Sequence, residues 1–238
     1  MPKQMSDMSN PRVNNTESTF RRIFNENTWG SNESVSGVGS TLDQTNLLIE
    51  ALPGVLRKLG VRELLDAPCG DFNWMRHVDL SSFKYTGADI VDELISANSV
   101  FERPGVSFRK LNVICDTIPR ADAIICRDCL VHFSFKDVFM TLANLASSGS
   151  NYLLTTTFPG FSHNRDIETG DWRALDLQAL PFCLPKPILL IREGCTEADG
   201  VFQNKSLGVW RMKDVARAAG SFRRKANSAL HFITRRFF

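Results

Sequence analysis

No stretch of the 238-residue chain approaches the ~20 consecutive apolar residues that a bilayer-spanning helix requires. The first nineteen residues, MPKQMSDMSNPRVNNTEST, have no apolar core of the kind found in secretory leaders. Cysteine is sparse: six residues, without the dense spacing of a disulfide scaffold, predict reduced thiols in a soluble cytoplasmic protein. No internal repeat is present, and a chain 43% hydrophobic and 23% charged is neither disordered nor fibrous. Acidic residues stop at Asp214, beyond which lie Arg217, Arg223, Arg224, Lys225, Arg235 and Arg236. Without those six, 22 basic residues face 26 acidic ones, so the net charge of +2 divides into an acidic body of −4 and a basic tail of +6.

The length fits one large domain with appended segments. Residues 1–40 read as an N-terminal arm and cover, mobile until Phe20–Phe24 supply apolar anchors, followed by the Gly/Ser-rich loop TWGSNESVSGVGSTL. Gly37 and Gly39 follow no strand and lack a third glycine, so they are not a dinucleotide fingerprint. Residues 41–214 form the main domain and residues 215–238 the tail. A helix is expected over Thr41–Leu59, kinked or split at Pro53, with others over Asn73–Val78, Asp92–Val100 and Phe135–Ala146. Strands are expected over Val61–Ala67, Lys84–Asp89, Val106–Asn112, Ala121–Arg127, Tyr152–Phe158, Pro187–Cys195 and Ser206–Met212. The alternation predicts an α/β fold, a Rossmann-like doubly wound parallel sheet whose last two strands, joined by an acidic turn, are antiparallel.

Sites on such sheets lie beyond the carboxyl ends of the strands. The first strand ends in LLDAPCGDFNWM, crowding Asp66, Pro68, Cys69, Gly70 and Asp71 into one turn. The second ends at Asp89 and Ile90, and an acid there can accept both hydroxyls of a ribose. An acid–glycine turn with a second acid about twenty residues on fits adenosine without a pyrophosphate, which Asp71 would repel. The fourth strand ends in CRDCLVHFSF, bringing Arg127, Asp128 and His132 together; a neutral histidine is suited to take a proton from an alcohol. Cys126 and Cys129 form a CxxC with no second ligand pair, so no metal is expected.

In these motifs the chain resembles the class I S-adenosylmethionine-dependent methyltransferases from about Leu64 to Phe158, although Pro68 and Phe72 stand where many members have glycine. The resemblance implies a seven-stranded, mostly parallel sheet with an antiparallel last strand and S-adenosyl-L-methionine as cofactor. Asp66, Pro68, Cys69, Gly70 and Asp71 would frame its methionine part, Asp89 and Ile90 its ribose, Asn112 its adenine, and Arg127 would lie beside it. His132 would be the base, with Asp128 orienting it or acting through it.

The Asp/Asn-Pro-Pro-aromatic signature of amino-methylating nucleic-acid enzymes is absent, and Pro68-Cys69 sits in the first strand-end turn rather than on the later strand that a base-methylating Pro-Cys nucleophile requires, so nucleic-acid bases are not expected as acceptors. Residues 159–186 suit a carbohydrate, with Arg165, Trp172 and Arg173 as substrate residues and Trp29 closing from the other side, or else a hairpin sealing the sheet edge. WGSNESVSGVGST, SNYLLTTTFPG and TGDWRALDL, with the two strand-end motifs, are similar to a bacterial subgroup of glycan-biosynthesis methyltransferases, including rhizobial nodulation enzymes that methylate the 2-hydroxyl of Nod-factor fucose. That likeness implies a glycan or glycolipid acceptor. Methylation of a small metabolite, a non-catalytic cofactor-binding module and a basic-tailed nucleic-acid binder are the alternatives. The tail reads as a solvated helix or a contact with anionic membrane. The oligomeric state is not legible.

Overall fold

The computed structural model describes residues 11–161 and 163–220. Residues 1–10 of the arm and 221–238 of the tail, with most of its basic residues, lie outside that range. Seven strands form one sheet: β1 Glu63–Asp66, β2 Lys84–Asp89, β3 Val106–Lys110, β4 Ala123–Cys126, β5 Tyr152–Thr157, β6 Leu189–Arg192 and β7 Ser206–Arg211. Their spatial order is β3-β2-β1-β4-β5-β7-β6, and β7 runs antiparallel to both of its neighbours. The chain reverses direction across the sheet between β1 and β4, so the tips of β1, β2 and β4 border one crevice.

Adjacent apolar residues in each central strand point to opposite faces, as a side-chain period of two requires. Leu65, Ile124 and Leu153 join one core with Val138, Leu142 and Leu145 of helix α4 (Phe135–Ser147). Leu64, Ile125 and Leu154 join the other with Leu48, Leu52 and Leu56 of α2 (Leu42–Lys58). The expected Lys84–Asp89 strand matches β2 at both ends, and the other six expected strands overrun at one or both ends by one to three residues.

Four expectations change. Residues 11–25 form helix α1 (Pro11–Asn25) where a mobile arm was expected up to Phe20. Helix α2 runs unbroken across Pro53, which is itself buried with Leu52 and Leu56, so packing outweighs the missing N–H. In place of a helix over 73–78 there is one 3-10 turn, Met75–His77; Phe72, Trp74, Met75 and Val78 are buried while Arg76 and His77 are exposed. Residues 159–186 are largely structural, since Leu175, Leu177, Phe182 and Leu184 are buried in the core of the α4 face. Helix α3 (Asp92–Asn98) follows β2, and a final helix, described over residues 212–220, buries Val215 and Ala219. No helix among the described residues is long and apolar enough to cross a membrane.

Candidate active site

Beyond the tips of β1, β2 and β4 lies a cavity lined by the sheet on one side and by α1 and the segment Thr28–Thr41 on the other. Its lining includes Asp66, Pro68, Cys69, Gly70, Asp71, Asp89, Ile90, Asn112, Arg127, Asp128, His132 and Trp29. The Gly70 N–H donates to Asp89 Oδ2 (3.0 Å) and its carbonyl accepts from Asn98 Nδ2 (2.8 Å), which fixes the first turn against the second strand and α3. Asp89 Oδ1 accepts from the Val91 amide (3.0 Å), and Asp66 Oδ2 accepts from the Tyr85 hydroxyl (2.8 Å). Burial raises both carboxyls, Asp66 to about 7 and Asp89 to about 6. A cationic group in the cavity would restore their charge.

Gly70 has φ +56°, and a Cβ there would stand 2.1 Å from Ser36 Oγ. The glycine therefore makes room for the covering segment. Asp71 faces the same way: its carboxylate accepts from Ser34 Oγ (3.0 Å), the Val35 amide (3.0 Å) and the Asn73 amide (3.3 Å). Glu33 Oε1 accepts from Asn73 Nδ2 (2.9 Å) and from the Leu42 amide that opens α2 (2.7 Å). Asn112 Oδ1 accepts from the Ile114 main-chain N–H (3.0 Å), and the Asn112 main-chain N–H donates to Asp116 Oδ2 (2.7 Å).

At the β4 tip the His132 Nδ1 lies 2.9 Å from the main-chain oxygen of Asp171. A carbonyl can only accept, so Nδ1 carries the proton and Nε2 keeps a lone pair. The ring is buried against the Trp29 indole, centroids 4.7 Å apart, and burial lowers the imidazole to about 4, leaving it neutral at pH 7. Asp128 does not hold the ring. Its carboxylate accepts from Lys205 Nζ (2.7 Å) and Thr156 Oγ1 (3.2 Å) and pairs with Arg127 (3.2 Å). Burial alone would raise it, but Arg127 and Lys205 prevail and hold it at about 2. Arg127 in turn donates to Glu193 Oε2 (2.7 Å) and to the Gly39 carbonyl (2.7 Å), and lies over the Trp74 ring.

No family model matches the sequence, and no curated protein matches it. Among solved structures, human N-acetylserotonin methyltransferase in complex with SAM aligns over 87% of this chain and 59% of its own, at 12% identity and a TM-score of 0.53. The chain has the class I methyltransferase fold. Magnesium protoporphyrin IX methyltransferase from Synechocystis PCC 6803 with bound SAH aligns at 16% identity over 63% of this chain and 76% of its own, with a TM-score of 0.42. The methyltransferase domain of a bacterial Hen1 gives 16% identity over 49% and 66%, also at 0.42. The aligned region thus spans less than two thirds of some of these structures.

Of the expected substrate residues, the methyltransferase fold brings only Trp29 to the cavity. Arg173 is buried and donates to the carbonyls of Leu130 (2.8 Å), Phe133 (2.7 Å) and Arg165 (3.3 Å), so it braces the turn that carries His132. Arg165 is exposed outside the lining, and Trp172 packs on Phe158 and Phe202. Lys205, Glu193, Thr156 and Asn98 went unread in the sequence, since each meets its partner across 28 or more residues. Phe20, Ile23 and Phe24 of α1, foreseen only as anchors, roof the cavity. Among the described residues no group of three or more His, Cys, Asp or Glu side chains could hold a metal.

Proposed function

We propose that the chain is an S-adenosylmethionine-dependent O-methyltransferase of the cytoplasm that methylates a sugar hydroxyl. The observation that carries this reading is the neutral His132, its Nε2 lone pair at the cavity beside two strand-tip carboxylates. The lining fits the cofactor. Asp66 and Asp89 suit a cation and a pair of ribose hydroxyls, while Ile90, Leu111 and Val113 form an apolar slot for a flat ring. When bound, the cofactor supplies an electrophilic methyl carbon. His132 would take the hydroxyl proton through Nε2, Asp171 and Trp29 would hold its ring, and the roof from α1 would exclude water.

The sugar acceptor rests on the likeness to glycan-modifying methyltransferases, most specifically those acting on the fucosyl group of a lipo-chitooligosaccharide. The test is methyl transfer from labelled cofactor to fucosylated and non-fucosylated acceptors. Transfer to the fucosylated compound alone supports the reading, and equal transfer or none defeats the fucose assignment. His132→Ala should lower turnover by about a hundredfold or more while cofactor affinity stays within about threefold; unchanged turnover would remove His132 as the base.

A further inference from the structure

Among the described residues that line the cavity, Arg127 is the one permanent cation. It is engaged on every side: Nε and Nη2 bond Glu193, Nη2 also bonds the Gly39 carbonyl, Nη1 pairs with Asp128, and the Trp74 ring lies against the guanidinium plane. The cations that tie the roof to the sheet are matched as well. Arg21 of α1 pairs with Glu17, Asp92 and Glu93, and Lys110 pairs with Glu17 and Asp92. Backbone donors in the first turn are also taken, Gly70 N–H by Asp89 and Asp71 N–H by Ser36 Oγ.

Binding a phosphate or diphosphate calls for free amides or guanidinium groups, and on the His132 side of the cavity an anion would meet the Asp128 carboxylate, with Arg127 already paired to it. The wall facing His132 is apolar and aromatic, made of Phe20, Ile23, Phe24 and Trp29. Such a wall stacks on a neutral ring and pairs no charge.

We infer that the acceptor is uncharged, so that a sugar is methylated only after glycosyl transfer has removed its nucleotide diphosphate. The inference rests on the proposed sugar methyltransferase activity and places the reaction downstream of a glycosyltransferase. It excludes nucleotide-linked sugars, phosphorylated sugars and uronic acids as substrates.

The experiment is calorimetric titration of the full chain, first with S-adenosylhomocysteine and then, in its presence, with matched pairs of one sugar as a neutral oligosaccharide glycoside and as its nucleotide diphosphate, fucose included. The neutral member should bind at least about tenfold more tightly in a pair that binds. Equal or tighter binding of the nucleotide-linked member overturns the inference and leaves the methyltransferase reading standing. Failure of S-adenosylhomocysteine to bind overturns the methyltransferase reading itself. If S-adenosylhomocysteine binds and no member of any pair does, the sugar acceptor and the reaction order both fall.

Discussion

The His132 imidazole lies against the Trp29 indole at 4.7 Å between centroids and 33° between planes, while its Nδ1 is held by the Asp171 carbonyl. Three segments far apart in sequence therefore determine one tautomer and one protonation state. The indole covers one side of a ring whose burial keeps the imidazole neutral.

Trp29→Ala should therefore raise the His132 pKa from about 4 toward the ordinary histidine value of about 6.5, because water regains access to the ring. Histidine ring resonances followed by NMR through a pH titration would report it. A titration point unchanged near 4 would mean that other groups set the burial.

Asp66 predicts how stability follows pH. Its folded value of about 7 exceeds the unfolded value of about 3.8, so the folded chain holds the proton more tightly and loses stability as pH rises through 7. Between pH 6 and 8 the loss from this one group is on the order of 1 kcal/mol. Asp66→Asn keeps an acceptor for Tyr85 and removes the titration. The wild-type protein should lose about that much stability relative to the variant across the interval in urea denaturation. A constant difference would refute the assignment.

Lys205→Met tests the charged cluster behind Asp128. Lys205 is buried, and removing it leaves Asp128 and Glu193 to share Arg127. Breaking one partner out of a buried set costs about 3–5 kcal/mol, and urea denaturation at pH 7 should show a loss of that order. Lys84→Met, which breaks an exposed pair with Glu63, should leave the midpoint unchanged.

Gly70→Ala places a methyl group on Ser36 and on a backbone at φ +56°. The covering segment should be pushed off the first turn, and S-adenosylhomocysteine affinity should fall by about tenfold or more in calorimetry. Gly70→Ala combined with Ser36→Gly removes the collision but keeps the backbone strain, and should recover part of the loss. No recovery would show that strain alone is responsible.

The parallel sheet and the acids at its tips were legible because each depends on local pattern. Leu64, Leu65, Ile124 and Ile125 announce buried strands, and Asp66 and Asp89 mark where those strands stop. His132 was legible as a candidate base because few residue types can act as one at neutral pH. Its partner was not, since Asp128 is near in sequence while the atom that orients the ring is a main-chain oxygen 39 residues on. Arg173 illustrates the reverse error. An arginine beside an exposed tryptophan suggests a sugar-binding loop, yet its guanidinium is spent on three carbonyls. Asp71 repels phosphate in sequence terms and fastens the cover in structural terms, and no local signal links it to Ser34 or Val35.

The bond from Arg127 to the Gly39 carbonyl bears on how this fold could be recombined. A chimera that grafts the sheet onto a foreign leading segment would leave the guanidinium without one of its acceptors and uncover the cluster it forms with Asp128 and Glu193. The transplantable unit is therefore discontinuous: the stretch before α2 and the β6–β7 hairpin that carries Glu193 and Lys205 must be exchanged together, from one parent, for either to serve the β4 tip.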